Sequence, residues 1–357
     1  MNIIIPVAGL GKRLRPHTYS TPKALLMTGG KPIIAHILDK TVGAIHELPL
    51  HRVVFIVGYM GDKIKEFVSK NYDFQASYIE QKEQLGLGHA IWLARESVGA
   101  KRKSRYVGAF SEPCLIVYGD TIFEANIPCD TKIDGYIGVR EVEDPRRFGI
   151  VELESGFVQK LIEKPTHPST NLAIGGVNFI SSTNLLFDCL ETLIKKGHRT
   201  AGEFQLTDAL ELMLEKGAKF KTFPLKEWFD CGTSGTLLQT NRELLSNYKL
   251  QVTSYKYESS VIKMPVFIHQ LAKIEHSEIG PYVSIAEGVR AKNSKISNSI
   301  INQDARIENS QIQDSIIGAG ATVQGVSGRL NIGDLSEVNE NTNTTNLEPQ
   351  IHTDEHE

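Results

Sequence analysis

Between residues 262 and 323, aliphatic side chains recur every five or six positions, with small or polar residues in the gaps. They are Ile262, Ile268, Ile274, Ile279, Ile285, Ile296, Ile301, Ile307, Ile312, Ile317 and Val323. An α-helix has a period of about 3.6 residues and a single β-strand one of about 2, so neither explains the series. A period near six is typical of a hexapeptide-repeat β-helix, whose coils stack to bury their aliphatic faces. We therefore expect a β-helix over residues 261–335; an ordinary β-sandwich would make the spacing a coincidence.

The first part of the chain alternates short apolar runs with helical patterns. The apolar runs lie at residues 3–7, 52–58, 76–81 and 113–118, and the helical patterns at residues 62–70 and 87–97. This alternation predicts an α/β domain with a mostly parallel sheet. In such sheets, ligands bind at the carboxyl ends of the strands.

From about residue 134 the pattern changes to strands on short connections. The strand-like segments are 133–141, 149–154, 157–162 and 172–180, and helices are expected at 184–195, 203–215 and 234–246. The strands predict an antiparallel lobe over one side of the ligand cleft. A chain of 357 residues suits two domains. We expect the first at residues 1–245, and a linker at 246–260 before the β-helix.

Residues 336–357 contain six acidic residues and no Lys or Arg. Such a segment buries too little apolar surface to fold, so we expect an acidic, mobile tail. A metal site at His352, Asp354 and His356 is the alternative, and a solvated tail is the preferred interpretation.

The composition argues against several classes of protein. The net charge of −3 is unlike the basic surplus of nucleic-acid-binding proteins. No run approaches the roughly 20 apolar residues of a membrane span, so neither nucleic acid nor membrane is an expected partner. The cysteines form no Cys-x-x-Cys pair and are expected to be reduced thiols in a cytoplasmic protein. They are Cys114, Cys129, Cys189 and Cys231.

The first apolar run leads directly into a loop that contains two glycines and ends in cations. Gly9 and Gly11 allow backbone conformations in which peptide N–H groups converge on an anion. Arg13 and Lys23 add full positive charges to this loop. We therefore expect the loop to bind a polyphosphate; a generic flexible loop is the alternative. The third glycine of a dinucleotide motif and the Gly-Lys-Ser/Thr of a Walker loop are both missing.

The loop reads Gly-x-Gly-x-Arg-x-x-Pro-x-Thr from Gly9 to Thr18, and Pro22-Lys23 follows. This pattern resembles the signature of the sugar nucleotidyltransferases, also called NDP-sugar pyrophosphorylases. The resemblance covers residues 2–245, and residues 261–330 are similar to the left-handed β-helix that follows the catalytic domain in several of these enzymes. It implies a Rossmann-like, mixed but mostly parallel sheet followed by a left-handed parallel β-helix. It also implies transfer of a nucleotidyl group from a nucleoside triphosphate to a sugar 1-phosphate, with release of pyrophosphate.

The resemblance assigns catalytic roles to Arg13, Lys23 and Lys164. Arg13 would hold the β- and γ-phosphates and stabilise the leaving pyrophosphate. Lys23 would bridge the two reacting phosphates, and Lys164 would pair with the sugar phosphate. Because both substrates are anions, the barrier is largely electrostatic, and the enzyme must neutralise and align charge. Lys12 stands where the family usually has Thr, which exchanges a hydroxyl contact for a positive charge.

Two aspartates are expected to hold a divalent cation. Asp120 follows the apolar run at 113–118, and Asp230 lies in the string Trp-Phe-Asp-Cys-Gly-Thr at 228–233. The resemblance implies that both carboxylates are metal ligands. Mg²⁺ prefers a few carboxylates together with phosphate oxygens, so Mg²⁺ is the expected cofactor. For each aspartate alone, a cap or turn role is the alternative.

The resemblance also implies a nucleotide site, formed by Ala8, Gly9, Gly11, Gln81 and Gly86. The Gln81 amide offers a donor and an acceptor together, which suits the imide edge of uracil or thymine. The string Gly-Leu-Gly-His-Ala at 86–90 resembles uridylyl enzymes more than thymidylyl enzymes. UTP and dTTP are therefore the expected nucleotides, and His89 is expected to pack at the start of a helix.

The string Glu163-Lys164-Pro165 resembles the sugar-site motif of the family. The implied sugar-phosphate site consists of Gly149, Glu163, Lys164, Asn171 and Gly176, with glucose 1-phosphate as the favoured acceptor. A charged pair on an exposed hairpin is the alternative for Glu163 and Lys164.

Two other functions stay open. The β-helix of a bifunctional enzyme could also transfer acyl groups, and acetyl-CoA consumption with amino-sugar phosphates would reveal this. A regulatory relative without activity would release no pyrophosphate with any substrate pair. We also expect a homo-oligomer, a trimer or tetramer, formed through the flat faces of the β-helix.

Overall fold

The computed structural model describes residues 1–43, 52–99, 112–247, 257 and 259–340. The chain divides into two compact units, Met1–Thr240 and Asn241–Glu357. Most of the predicted linker at 246–260 lies outside the described residues. The predicted acidic tail beyond residue 340 also lies outside them, together with His352, Asp354 and His356.

The first unit contains the helices and the longer strands. The helices are α1 Ile33–Gly43, α2 Gly61–Asn71, α3 Leu87–Leu93, α4 Thr183–Lys196, α5 Leu206–Glu215 and α6 Ser234–Asn247, of which α6 extends past the boundary of the unit. The strands are β1 Asn2–Pro6, β2 Met27–Thr28, β3 Lys31–Pro32, β4 Arg52–Val57, β5 Ala76–Glu80, β6 Cys114–Val117, β7 Thr121–Glu124, β8 Gly135–Glu141, β9 Gly149–Glu154, β10 Phe157–Glu163, β11 Leu172–Ile180, β12 Phe220–Pro224 and β13 Glu227–Asp230. The helix expected at 87–97 is an α-helix only to Leu93 and ends in a 3₁₀ turn over Ala94–Glu96.

A nine-stranded mixed sheet forms the centre of this unit. Its strands β6, β1, β4 and β5 lie side by side and parallel, as the alternating pattern predicted. Ile3, Ile4 and Ile5 of β1 are fully buried, which is why this strand is apolar at consecutive positions. Because β1 and β6 are parallel neighbours, the segments that follow them leave the sheet at the same edge.

The predicted antiparallel pairing is present among β8–β11, but these strands do not form a lobe apart from the central sheet. Strand β11 pairs antiparallel with β6, with Asn178 opposite Ile116, so β8–β11 extend the central sheet. The physical reason is the composition of β11. Eight of its nine residues are buried, so the strand has two apolar faces and lies inside the sheet rather than in a half-exposed lobe.

The second unit contains a parallel β-helix of the left-handed type. The aliphatic series predicted the β-helix, and the resemblance implied its handedness. Each strand pairs with the strand three positions later in the chain, which gives three five-stranded parallel sheets. Ile279 lies opposite Ile296, and Ile296 opposite Ile312, so successive coils span 17 and 16 residues. The strands are β14 Val261–Ile262, β15 Val266–Ile268, β16 Lys273–Glu275, β17 Glu278–Ile279, β18 Val283–Ile285, β19 Arg290–Lys292, β20 Lys295–Ser297, β21 Ile300–Ile301, β22 Arg306–Glu308, β23 Gln311–Gln313, β24 Ile316–Ile317, β25 Thr322–Gln324, β26 Ser327–Gly328, β27 Asn331–Ile332 and β28 Glu337–Asn339.

The aliphatic series forms the core of this β-helix. Nine of its eleven members are buried, and Ile262 and Ile268 pack against the same cluster while partly exposed. Buried serines complete the interior. The Ser294 hydroxyl donates to the Lys292 carbonyl at 2.7 Å and accepts from the backbone N–H of Ser310 at 3.2 Å. The serines thus satisfy backbone groups at the corners of successive coils.

Candidate active site

The loop after β1 is shaped by Gly11. This residue has a φ of 62°, and a Cβ there would lie 2.8 Å from the Cγ2 atom of Thr18. A 3₁₀ turn over Lys12–Leu14 follows it. Gly9, by contrast, has no positive φ, and a Cβ there would meet no heavy atom within 4 Å. Only Gly11 is therefore required by the backbone, and Gly9 instead leaves space open beside the loop.

Asp120 meets this loop because β1 and β6 are parallel neighbours. The backbone N–H of Gly119 donates to the Pro6 carbonyl at 3.2 Å, and a Cβ on Gly119 would lie 2.6 Å from that oxygen. The glycine thus allows the two segments to approach closely. Lys23 completes the contact, with its Nζ atom 2.6 Å from Oδ2 of Asp120.

The charge of Lys23 controls the ionisation of Asp120. Burial raises the pKa of this carboxyl group, but the charge and hydrogen bond of Lys23 outweigh burial and hold the pKa below its usual value. Asp120 is therefore ionised at neutral pH, and Lys23 is paired with it rather than free. The expectation that Lys23 bridges two phosphates requires this ion pair to loosen or to be shared with the ligand.

A cavity of about 410 Å³ lies between the glycine loop and the start of α3. It is lined by the entire predicted nucleotide set, Ala8, Gly9, Gly11, Gln81 and Gly86. Arg13, Lys23 and Asp120 line the same cavity, as does Lys12. The structure thus brings the glycine loop, its cations and the glutamine together around one space.

A second, smaller cavity of about 170 Å³ contains Asp230. Strand β13 pairs antiparallel with β7, and Asp230 lies opposite Thr121, next to Asp120 in the chain. Burial raises the pKa of Asp230, and the negative charge of Asp120 raises it further. Two neighbouring negative charges disfavour each other's ionised form, which accounts for the second of these causes. Arg13, Tyr118 and Asp120 line both cavities.

Gly232 permits the close packing between Asp230 and the glycine loop. A Cβ at this position would lie 2.8 Å from Oδ1 of Asp230 and 3.3 Å from Nη2 of Arg13. Any side chain here would therefore displace either the carboxylate or the guanidinium group.

The predicted sugar-phosphate residues are only partly brought together. Oε2 of Glu163 accepts a hydrogen bond from the Thr207 hydroxyl at 2.7 Å, and Nζ of Lys164 lies 3.4 Å from Oε1 of Glu163. A Cβ on Gly149 would lie 3.1 Å from Oε2 of Glu163. These three predicted residues form one cluster, but they line neither cavity.

The other two predicted sugar-site residues are separated. Gly176 lines the smaller cavity; its φ is 81°, and a Cβ there would lie 2.7 Å from Cδ2 of Tyr118. Asn171 is exposed just before β11 and lines neither cavity. Its carbonyl accepts a hydrogen bond from the N–H of Val142. A pocket role for Asn171 thus remains a prediction without support from this arrangement.

The Gln81 side chain is buried, and its amide nitrogen has hydrogen-bond partners within the chain. Its Nε2 atom lies 3.0 Å from the Gly86 carbonyl and 3.1 Å from Nδ1 of His89. The expectation that this amide offers a donor and an acceptor together therefore does not fit the structure, because both amide hydrogens have partners. Gly86 has a φ of 102° and packs closely against Phe204. A Cβ on Gly86 would lie 2.7 Å from the Phe204 carbonyl oxygen.

Sequence reasoning missed several residues of the smaller cavity. Arg147, Phe148 and Trp228 line it, and the rings of Phe148 and Trp228 meet edge to face with centroids 5.1 Å apart. A signal was present for Trp228. It lies two residues before Asp230 on one strand, and residues two apart share a face of a strand.

Comparisons with known proteins agree with this geometry. The family described as "Nucleotidyl transferase" matches residues 2–247. The chain belongs to the nucleotidyl transferase family. This membership agrees with the glycine loop and with the mixed sheet, both of which lie within the matched residues.

Two relatives show how much of the chain is shared with characterised proteins of this family. "Bifunctional protein GlmU" of Methanococcus maripaludis is 33% identical over 265 residues, which are 73% of this chain and 58% of that protein. This chain thus spans little more than half the length of the GlmU relatives it matches. "Glucose-1-phosphate thymidylyltransferase" of Streptomyces griseus is 28% identical over 326 residues, which are 85% of this chain and 88% of that protein.

Solved structures show the same fold. A structure titled as a putative glucose-1-phosphate thymidylyltransferase from Bacillus anthracis in complex with a sucrose is 25% identical, with a TM-score of 0.56, and the match covers 68% of this chain and 95% of that one. A UDP-glucose pyrophosphorylase complexed with UDP-glucose, 20% identical over 69% of this chain and 99% of that one, has the same TM-score and supports the fold alone.

Two further observations bear on the expected partners. In the part of the chain that the structure describes, no helix is long and apolar enough to cross a membrane. Among the same residues, no group of three or more His, Cys, Asp or Glu could hold a metal ion.

Proposed function

We propose that this nucleotidyl transferase family member transfers a nucleotidyl group from UTP or dTTP to a sugar 1-phosphate, with glucose 1-phosphate as the favoured acceptor. The observation that carries the proposal is the junction of the two cavities. Arg13 and Asp120 line both of them, so one cation and one carboxylate face two ligand spaces at once. The larger space suits a nucleoside triphosphate, and the smaller one suits a phosphorylated sugar.

In the proposed reaction, an oxygen of the sugar 1-phosphate attacks the α-phosphorus of the triphosphate. A new P–O bond forms, the bond from the α-phosphorus to the bridging oxygen breaks, and the electron pair leaves with pyrophosphate. Arg13 stabilises the charge that develops on the leaving group. Lys23, held by Asp120, lies beside the reacting phosphates and lowers the repulsion between two anions.

Asp120 and Asp230 fit a divalent cation by their chemistry. Both are carboxylates, and the raised pKa of Asp230 has the charge of Asp120 as its second cause, after burial. Mg²⁺ uses few protein carboxylates and takes its other ligands from phosphates and water. When bound, such an ion neutralises phosphate charge and favours displacement at phosphorus. We propose Mg²⁺ as the cofactor and these two residues as its ligands.

A matrix of substrates tests the proposal. Purified protein is incubated with UTP, dTTP, CTP, ATP or GTP against several sugar 1-phosphates, with Mg²⁺, and released pyrophosphate is measured. We expect the highest rate for a pyrimidine triphosphate with glucose 1-phosphate, and loss of the rate when EDTA removes the metal. Absence of pyrophosphate with every pair would contradict the proposed function and favour a regulatory relative.

A further inference from the structure

A tight turn before α5 brings an acidic residue to the larger cavity. Thr200 and Glu203 exchange two backbone hydrogen bonds, of 3.0 and 3.2 Å. The two residues between them, Ala201 and Gly202, have φ values of 53° and 82°. Positive φ at both central residues is typical of two-residue hairpin turns. Glu203 follows this turn and lines the larger cavity but not the smaller one.

Glu203 packs against the start of α3. A Cβ on Gly86 would lie 2.7 Å from the Cβ atom of Glu203. The next residue, Phe204, is bonded to the same segment: its N–H donates to the Leu85 carbonyl at 2.9 Å, and its carbonyl accepts from the N–H of Gly88 at 2.7 Å. Glu203 is therefore fixed on the α3 side of the larger cavity, across from the glycine loop.

The charges that line the larger cavity are divided between these two sides. Lys12, Arg13 and Lys23 lie with the glycine loop, where Asp120 pairs with Lys23. Glu203 is the other carboxylate among the lining residues. A triphosphate is attracted to the cations and repelled by a carboxylate. The uncharged part of a bound nucleotide is therefore the part that faces Glu203.

Gln205 holds the Glu203 carboxylate and leaves one of its oxygens free. Gln205 is buried, and its Nε2 atom donates to Oε2 of Glu203 at 3.2 Å. Oε1 of Glu203 has no hydrogen-bond partner in the part of the chain that the structure describes. A carboxylate oxygen accepts hydrogen bonds and donates none. The free oxygen thus requires a donor from the ligand.

We propose that Glu203 is a specificity residue that accepts a hydrogen bond from the ribose 2′-hydroxyl, so that the protein favours ribonucleoside over 2′-deoxyribonucleoside triphosphates. This inference rests on the proposed function for the placement of the triphosphate, and it favours UTP over dTTP, a choice that the proposed function leaves open. The ribose carries two adjacent hydroxyl donors. The imide edge of a pyrimidine suits a carboxylate less well, because its single N–H lies between two carbonyl oxygens.

UTP and dUTP differ only in the 2′-hydroxyl, so the ratio of their dissociation constants isolates this contact. We expect calorimetry with Mg²⁺ to show that wild-type protein binds dUTP about five- to tenfold more weakly than UTP, as for loss of one hydrogen bond. In Glu203→Ala, the two constants should agree within twofold. Glu203→Gln should give an intermediate ratio, because an amide bonds a hydroxyl without the added strength of a charge.

Glu83→Gln is the matched control for Glu203→Gln. Glu83 is exposed in the segment that precedes α3, and it lines neither cavity. The variant removes the same charge from the same part of the molecule and should keep the wild-type ratio. An equal fall in the two variants would show that net charge, and not a contact with the ribose, sets the ratio.

Two further results would overturn the inference. One is wild-type protein that binds UTP and dUTP with constants within twofold of each other. The other is a wild-type ratio in Glu203→Ala. Because Glu203 is exposed, we expect both of its variants to fold.

The role of Glu203 and the proposed activity fail in different ways. Pyrophosphate release from UTP, together with a ratio that does not depend on Glu203, would reject the ribose contact and leave the activity. A ratio that depends on Glu203 in a protein that releases no pyrophosphate would reject the activity and leave the contact. Wild-type protein that binds neither UTP nor dUTP would overturn both.

Discussion

The ion pair between Lys23 and Asp120 places a cation and a carboxylate where two parallel strands end. The same ion pair explains why we assign phosphate binding mainly to Arg13. Lys23 is already paired with Asp120 at 2.6 Å. Arg13 lines both cavities, and its charge lowers the pKa of Asp230. We therefore assign the larger share of pyrophosphate stabilisation to Arg13.

The first prediction concerns this residue. Arg13→Ala should lower kcat by about 10²-fold or more, as for removal of one preorganised charge partner, while the fold is kept. Steady-state measurement of pyrophosphate release checks this. Arg15→Ala is the control, because Arg15 lies in the same segment, stacks on Tyr19 and lines neither cavity. Full turnover in Arg13→Ala, or an equal loss in Arg15→Ala, would contradict the assignment.

The residues of the candidate site differ in how far the sequence predicted their positions and contacts. The residues predicted around the triphosphate are all found in one cavity. The glycine loop and Gln81 follow parallel strands of one sheet, β1 and β5, and the sequence pattern identifies those strands. The partners of Gln81 could not be predicted, because its contact with His89 depends on where α3 begins. The predicted role of Asn171 in the sugar-phosphate site is not supported, because Asn171 lines neither cavity. Strand register decides which side chains face a cavity, and a sequence motif does not reveal that register.

At the scale of elements, buried serines stabilise the coils of the β-helix. Ser294 links two coils, because its hydroxyl donates to one strand end and accepts from the backbone of Ser310 in the next coil. The aliphatic series predicted a hexapeptide-repeat β-helix with stacked coils. The serines went unnoticed because they recur only once per coil, as from Ser277 to Ser294 to Ser310, and their role depends on the corner geometry.

The second prediction tests this link. Ser294→Ala should destabilise the protein by about 1–3 kcal/mol, because a buried backbone N–H loses its acceptor. Chemical denaturation followed by far-ultraviolet circular dichroism measures the change. Ser297→Ala is the control, since this partly exposed hydroxyl has no hydrogen-bond partner among the described residues. If both variants unfold like wild type, the serine contact has no role in stability.

A third prediction concerns Gly86 at the start of α3. Gly86→Ala should raise the KM for the nucleotide, because a Cβ would lie 2.7 Å from the Phe204 carbonyl and the segment must shift. Gly197→Ala is the control: its φ of 66° and ψ of 21° are left-handed helical and cost less than the backbone of Gly86, and a Cβ there meets no atom within 4 Å. We expect steady-state kinetics to show the KM change only in Gly86→Ala. Equal KM values in the two variants would argue against the contact.

At the scale of the whole molecule, the two units have different architectures. The family match covers the first unit, and the stacked coils make up most of the described second unit. The sequence predicted both because each has its own period. It did not predict that β8–β11 join the central sheet, because strand patterns do not reveal which strands become neighbours.

The fourth prediction is the oligomeric state. The β-helix carries exposed apolar side chains such as Leu271 and Leu335, 56% and 81% exposed. Exposed apolar residues on a regular surface favour self-association. We expect a trimer or tetramer in sedimentation velocity at micromolar concentration. A monomer across the concentration range would contradict self-association through this unit.

The most direct test of the central claim is a crystal structure of the protein with UTP and Mg²⁺. The account predicts the triphosphate against the glycine loop, with Arg13 at the β- and γ-phosphates and the base beside Gln81. Nucleotide bound elsewhere, with the cavity between Gly11 and Asp120 left without ligand, would contradict it.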